Sequence, residues 1–185
     1  NNKVFNLFNI SKSTLNDETI ILDLRNLDEL RFAIQNIKPD FVVNAAGILI
    51  EDSNLRPLDA VKLNAVLPLT LNTLSKERGF KLIQISTDCV FSGKSGPYLP
   101  SDVKDANSIY GRTKALGEVY DVPNLTIRTS VIGPDLRSDG KELFNWFMNQ
   151  SEELNGFCKS MWSGVTTLEL AKYVEYCILN KINLK

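Results

Sequence analysis

The chain has 185 residues, room for one sizeable domain with its own core. Its 21 basic and 22 acidic residues leave a formal charge of −1, which argues against nucleic acid or anionic lipid as the main partner. With 43% hydrophobic and 23% charged residues it has the make-up of a globular domain, and with no histidine it can build neither a Ser-His-Asp triad, nor a Cys-His pair, nor most zinc sites.

The residues Val4 to Phe8 read as a first short strand, and Ile20-Ile21-Leu22 as a second that ends at Asp23. Leu27, Leu30, Ile34 and Ile37 recur at helical spacing, with Pro39 just beyond. Phe41-Val42-Val43 is an apolar run ending in Asn44-Ala45-Ala46-Gly47. A long helix is expected from Leu58 to Lys76, closed by Gly79. Lys81 to Ile85 reads as a buried strand running into Ser86-Thr87-Asp88, followed by a Gly/Pro/Ser-rich loop from Ser92 to Asp105. A helix over Ser108–Tyr120, a strand at Leu125–Arg128 and helices over Lys141–Glu153 and Thr167–Asn180 complete the pattern.

Short apolar strands alternating with helices point to a parallel sheet covered on both faces. Polar and small residues collect just after the strands, at Asp23, at Asn44 to Gly47, at Ser86 to Asp88 and at Thr129-Ser130. In an open parallel sheet these positions share the carboxyl edge, where ligands bind. The cysteines, Cys89, Cys158 and Cys177, are too far apart in sequence for a metal knuckle, and reduced thiols and no metal are expected. No apolar run approaches the roughly 18 residues of a membrane span. The chain does not open on a signal peptide, so the cytoplasm is the expected compartment.

Tyr110 and Lys114 lie four apart on a predicted helix and share one face. A phenol with a pKa near 10 is a poor acid at neutral pH, and a neighbouring ammonium favours its ionised form. The pair is suited to protonating a carbonyl as it is reduced. An amphipathic surface helix also accounts for two such residues taken alone. Thr87, at the end of a buried strand, adds a hydroxyl able to hydrogen-bond the same carbonyl.

Ser86-Thr87-Asp88-Cys89-Val90-Phe91-Ser92-Gly93, Tyr110-Gly111-Arg112-Thr113-Lys114-Ala115-Leu116-Gly117-Glu118 and Ile127-Arg128-Thr129-Ser130, taken together, resemble the extended short-chain dehydrogenase/reductase superfamily. Within it the resemblance is to the dTDP-4-dehydrorhamnose reductase-like, sugar-nucleotide-binding branch. Asn44 to Gly47 and Gly164 to Ala171 resemble two further blocks of that branch. The implied fold is a Rossmann-like, doubly wound parallel sheet: residues 1–135 form the NAD(P)-binding core, and residues 136–185 a reduced substrate-binding lobe packed on it. The implied reaction is reduction of the 4-keto group of a nucleotide-linked 6-deoxyhexulose for a surface polysaccharide precursor. A homodimer is an allowed assembly.

By this resemblance Thr87 orients the keto oxygen, Tyr110 protonates it, and Lys114 tunes Tyr110 and holds the nicotinamide ribose. Asp23 and Leu24 lie near the adenine. Ala45, Ala46 and Gly47 let the cofactor approach the backbone. Asn64 matches a family asparagine on the cofactor side, although a helix-surface amide explains it equally well. Ser86 and Ser130 are pocket walls. Asp88, Cys89 and Val90 face the substrate, with Cys89 replacing the family's frequent tyrosine. Trp162 is a wall for sugar or base, or equally a buried structural residue. Glu118 reads as a member of a surface helix ion pair.

The family opens on a strand and a glycine-rich turn that cradles pyrophosphate, and no such element is present in this sequence. The strand near Val4 corresponds to the family's second, so the absent one belongs at the centre of the sheet. The chain, which starts with Asn1-Asn2, is therefore expected to lack N-terminal residues of the native protein, or else to be a paralogue that has lost cofactor binding. Asn9-Ile10-Ser11-Lys12-Ser13, at the end of that strand, has no acid to select NAD, and Lys12 suits a 2′-phosphate, so NADPH is expected over NADH. An epimerase or dehydratase of the same superfamily, drawing on Asp88 and Cys89, and a non-catalytic regulatory subunit are the alternatives.

Overall fold

The structure is a computed structural model that describes residues 5–14, 16–135, 143–159, 162, 164–180 and 182. Its elements in chain order are β1 (Asn9–Ser11), β2 (Thr19–Ile21), α1 (Leu27–Ile37), β3 (Phe41–Asn44), α2 (Ile50–Leu55), α3 (Pro57–Ala60), a π-helical turn (Val61–Val66) and α4 (Leu67–Arg78). There follow β4 (Lys81–Ser86), a 3₁₀ turn (Asp88–Val90), α5 (Ile109–Leu116), β5 (Leu125–Arg128), β6 (Ser130–Ile132), α6 (Leu143–Met148), β7 (Gly164–Thr166) and α7 (Thr167–Leu179).

Every strand pairing among the described residues is parallel: β1 with β2, β3 with β4, β4 with β5, and β6 with β7. Parallel neighbours need crossovers: helices supply them from β3 to β4 and from β4 to β5, whereas no described residue between β1 and β2 is helical. The β1–β2 pair and the β3-β4-β5 sheet remain separate hydrogen-bonded groups.

Local chemistry explains the strongest elements. Asn26 caps α1 by accepting from the Glu29 backbone N–H at 3.3 Å, while Asp28 and Glu29 in the first turn suit the helix dipole. Leu30 and Ile34 face inward from that helix, and Lys38 ends it in the left-handed conformation. Gly79, also left-handed, closes α4 as expected. These helices and β4 enclose the main core of Leu22, Leu30, Ile34, Leu67, Leu71, Leu74, Phe80, Leu82 and Val119. A second, smaller core joins Ile83 and Leu125 of the sheet to Cys177 of α7. Full burial stabilises each such aliphatic side chain by about 1.5–3 kcal/mol.

Several expected boundaries move. The first strand lies at Asn9–Ser11; residues 5–8 are not strand, and Val4 is outside the described residues. The expected Leu58–Lys76 helix extends from Pro57 to Arg78 but contains the π turn. The helix at Tyr110 ends at Leu116, short of Tyr120, because Gly117 caps it. Of the expected 141–153 helix, only Leu143–Met148 is helical among the described residues; Lys141 and Glu142 lie outside them. The three-residue strands β6 and β7 were not expected: they are short and partly polar, and they gain their order from each other.

Candidate active site

The carboxyl ends of β3 and β4 and the first turns of α5 converge. Lys114 is 7% exposed and donates from Nζ to the Ile85 backbone carbonyl at 2.7 Å. That bond holds α5 against the end of β4, two residues before Thr87. Burial pulls the Lys114 pKa down from 10.5 to about 8, and the charge of Glu118 partly opposes the fall. The ammonium therefore predominates at neutral pH, and two of its three N–H groups remain for a ligand.

Close packing brings the turn of Tyr110 beside that of Thr87. A methyl group at Gly111 would strike the Cys89 carbonyl oxygen, so only glycine lets α5 approach the 3₁₀ turn this closely. At the other end of α5, a methyl group at Gly117 would strike the backbone oxygen of Asn64 in the π turn. Ser108 caps the helix by accepting from the Gly111 N–H at 3.0 Å, which fixes where Tyr110 begins its turn.

Thr87 is buried, and its Oγ1 accepts from the Cys89 N–H at 3.1 Å. The hydroxyl donates to Asp88 Oδ1 at 3.2 Å, a proton it could redirect to a carbonyl oxygen. Ser130 Oγ lies 2.8 and 2.7 Å from the two Asp88 carboxylate oxygens, tying the start of β6 to the 3₁₀ turn. Cys89 is half-buried, and burial pushes its thiol pKa up, so the thiol stays protonated at neutral pH. Val90, expected to face the substrate, is fully buried; its side chain packs into the interior. Trp162 is 55% exposed, so it is no buried structural residue. A methyl group at Gly164, the register partner of Ser130, would strike its ring, which places Trp162 beside that strand pair.

Asn64 is 1% exposed, and a surface amide is thereby corrected. Its Oδ1 accepts from the Ile48 N–H at 2.8 Å, and its Nδ2 donates to the Ile48 carbonyl at 3.0 Å and to Thr113 Oγ1 at 3.2 Å. With those donors spent inside the protein, Asn64 acts on the site through the loop after β3 and through α5. The extra residue of a π turn, a device common at functional sites, aims it there. In that loop Ala45 and Gly47 are exposed and Ala46 is half-buried. A methyl group at Gly47 would stand 3.0 Å from Asn64 Oδ1 and 3.8 Å from Lys114 Nζ. The glycine thus keeps the approach to Lys114 open, an arrangement that fits the ribose end of a dinucleotide.

At the end of β2, Asp23 accepts from Arg25, whose Nη1 reaches Asp59 of α3 at 2.8 Å. The hydrogen bonds from Arg25 hold the Asp23 carboxyl well below the usual carboxylate range. Leu24 is half-buried and packs against the main core.

Glu118 departs furthest from expectation. Its side chain is 0% exposed, so it belongs to no surface ion pair. Its Oε1 accepts from Ser86 Oγ at 2.7 Å and Arg128 Nε at 2.8 Å, and its Oε2 from Tyr120 at 2.6 Å and Arg128 Nη2 at 2.8 Å. Burial raises its pKa, but the bonds from Arg128, Tyr120 and Ser86 more than offset this and hold the carboxyl below its ordinary range. Ser86, expected as a pocket wall, is buried, and its hydroxyl is committed to Glu118. The usable signal was Gly117, which stops the helix before Glu118 and turns that residue inward.

A parallel α/β sheet with a threonine just after its central strand and a Tyr-x-x-x-Lys helix packed beside that turn has the layout of the short-chain dehydrogenase/reductase type. Within that type the chain belongs to the family described as the RmlD substrate binding domain, which matches residues 6–153. It is 32% identical over 114 residues to the spore coat polysaccharide biosynthesis protein SpsK of Bacillus subtilis, covering 60% of this chain and 40% of that protein. To the dTDP-4-dehydrorhamnose reductase of Escherichia coli it is also 32% identical over 114 residues, covering 58% of this chain and 38% of that one. The chain therefore spans about 40% of the length of these curated relatives. The crystal structure of a dTDP-4-dehydrorhamnose reductase from Clostridium acetobutylicum superimposes with a TM-score of 0.74 at 26% identity, covering 92% of this chain and 64% of that one. No helix among the described residues is long and apolar enough to cross a membrane.

Proposed function

We propose that this chain carries the reducing centre of an NADPH-dependent reductase acting on the 4-keto group of a nucleotide-linked 6-deoxyhexulose. The observation that supports the reading is the 2.7 Å bond from Lys114 Nζ to the Ile85 carbonyl, which anchors the ammonium near the end of β4, two residues before Thr87. A bound nicotinamide cofactor supplies the hydride that goes to the carbonyl carbon. Thr87 turns its hydroxyl from Asp88 to the keto oxygen and orients it. Tyr110 gives its phenolic proton to that oxygen, and Lys114 stabilises the phenolate left behind. The open edge at Ala45 and Gly47 takes the ribose and adjoining backbone of the cofactor, with Asp23 towards the adenine end.

In this reading residues 1–135 hold the cofactor and residues 136–185 contribute to the sugar side, where Trp162, Asp88, Cys89 and Ser130 meet the substrate. The setting is cytoplasmic synthesis of a polysaccharide precursor, with a nucleotide sugar as partner and a homodimer as an allowed assembly. Epimerase or dehydratase chemistry is less well supported, because Asp88 is engaged by Ser130 and the Cys89 thiol stays protonated.

The test is NADPH oxidation with a dTDP-linked 4-keto-6-deoxyhexose, the product being identified by NMR. Tyr110→Phe should lower turnover by at least about 10²-fold while NADPH still raises the melting temperature. Full activity in Tyr110→Phe, or a product formed without consumption of NADPH, would sink the proposal.

A further inference from the structure

The residues from Phe91 to Asn107 form a long loop without regular structure, and such loops in compact domains are commonly functional. This one is the covalent link between Thr87 and Tyr110. It is braced internally: the Phe91 and Tyr98 rings stack at 4.4 Å, and the Ser92 N–H donates to Asp105 at 2.7 Å. Its ties to the sheet converge on a single carboxylate.

Arg128, the last residue of β5, uses Nε and Nη2 on the two oxygens of Glu118. Its Nη1 donates to the Pro100 carbonyl at 2.8 Å, and its guanidinium lies over the Phe91 ring at 5.2 Å. Lys104, also in the loop, reaches Glu118 at 3.4 Å and lies over the Tyr120 ring at 4.6 Å. Glu118 meanwhile holds Ser86, the residue bonded to Thr87. Phe91, Pro100 and Lys104 on the loop and Ser86 on the strand are thus referred to one fork. A buried ion pair contributes little net stability over well-packed apolar side chains, but its bidentate geometry is specific.

We infer that Glu118 and Arg128 are positioning residues that strap the 91–107 loop to the strand end carrying Thr87 and so set the affinity for the nucleotide-sugar substrate. The inference rests on the reductase reading for its substrate, and on geometry alone for the strap.

The decisive variant is the apolar double replacement Glu118→Leu with Arg128→Met, which removes both members of the buried pair together and leaves Lys104, 24% exposed, to turn to solvent. Arg128→Lys serves as the conservative partner, since one ammonium cannot serve both Glu118 oxygens and Pro100 together. The double variant should raise KM for the nucleotide sugar about tenfold, with kcat changed less than about threefold and the NADPH dissociation constant unchanged. Trypsin cleavage at Lys94 and Lys104 should become about tenfold faster as the loop opens more often, with Arg128→Lys in between. The strap is overturned if the double variant keeps wild-type KM and wild-type cleavage, or if KM, kcat and NADPH binding all worsen together. Wild-type protein that consumes no NADPH with the nucleotide sugar would refute the reductase reading; the cleavage rates would then decide the strap, faster cleavage in the double variant supporting it and unchanged cleavage overturning it.

Discussion

Lys114→Met should stabilise the protein at neutral pH while removing a residue on which the proposed chemistry depends. The native fold pulls the Lys114 pKa from 10.5 to about 8, so carrying the charged amine at pH 7 costs about 3 kcal/mol relative to the unfolded chain. Methionine fills a similar volume without a charge. Its loss is the hydrogen bond to the Ile85 carbonyl, worth about 1 kcal/mol, because that oxygen still accepts from Gln84 Nε2 at 2.9 Å. The net expectation is a gain of about 2 kcal/mol at pH 7, or roughly 1 M in the urea midpoint. Between pH 8 and 10.5 the unfolded wild-type chain holds the Lys114 proton and the native state does not, so raising pH in that window favours native wild type. The advantage of Lys114→Met should therefore shrink above pH 8 and reverse near pH 10. Urea unfolding of both proteins at pH 7 and pH 10 reads this directly. A variant less stable than wild type at pH 7, or a difference unchanged between the two pH values, would refute the reasoning.

Gly117→Ala has an ordinary backbone (φ −84°) but drives a methyl group into Asn64 and Pro68. It should cost about 3 kcal/mol, seen as a fall in melting temperature of roughly 10 °C. Asn64→Ala strips the Ile48 N–H and carbonyl of their side-chain partner and should destabilise by about 3 kcal/mol in chemical denaturation. Thr87→Val should lower kcat for keto reduction by about 10–10²-fold, and Thr87→Ser should keep most of it, because the serine hydroxyl can make the same bonds.

Elements with a local signal were legible in the sequence. Asn26 before the 3.6-residue period of Leu27, Leu30 and Ile34 announces α1, and Leu82, Ile83 and Ile85, interrupted only by Gln84, announce the central strand β4. The positions of Thr87 just after a strand and of Tyr110 and Lys114 on the next helix were legible from the strand–loop–helix pattern. Other features depend on tertiary pairing and leave no such trace. β6 and β7 are each three residues long and are ordered by each other. The π turn is one extra residue in an otherwise helical pattern, so the periodicity carries through it while Asn64 turns inward. Glu118 was read as exposed because it follows Lys114 by four, a spacing that has meaning only while the helix lasts. Its partner Arg128 lies ten residues on, on another element, and meets it only once β5 has paired with β4.

The single amide of Asn64 bridges the loop after β3 and the helix that carries Tyr110 and Lys114. Those two walls cannot separate without breaking buried hydrogen bonds, so this side of the cleft is rigid before any ligand arrives. A cofactor settling against it need not supply the entropy of ordering these groups, a saving of about 0.5–1.5 kcal/mol for each side chain already held.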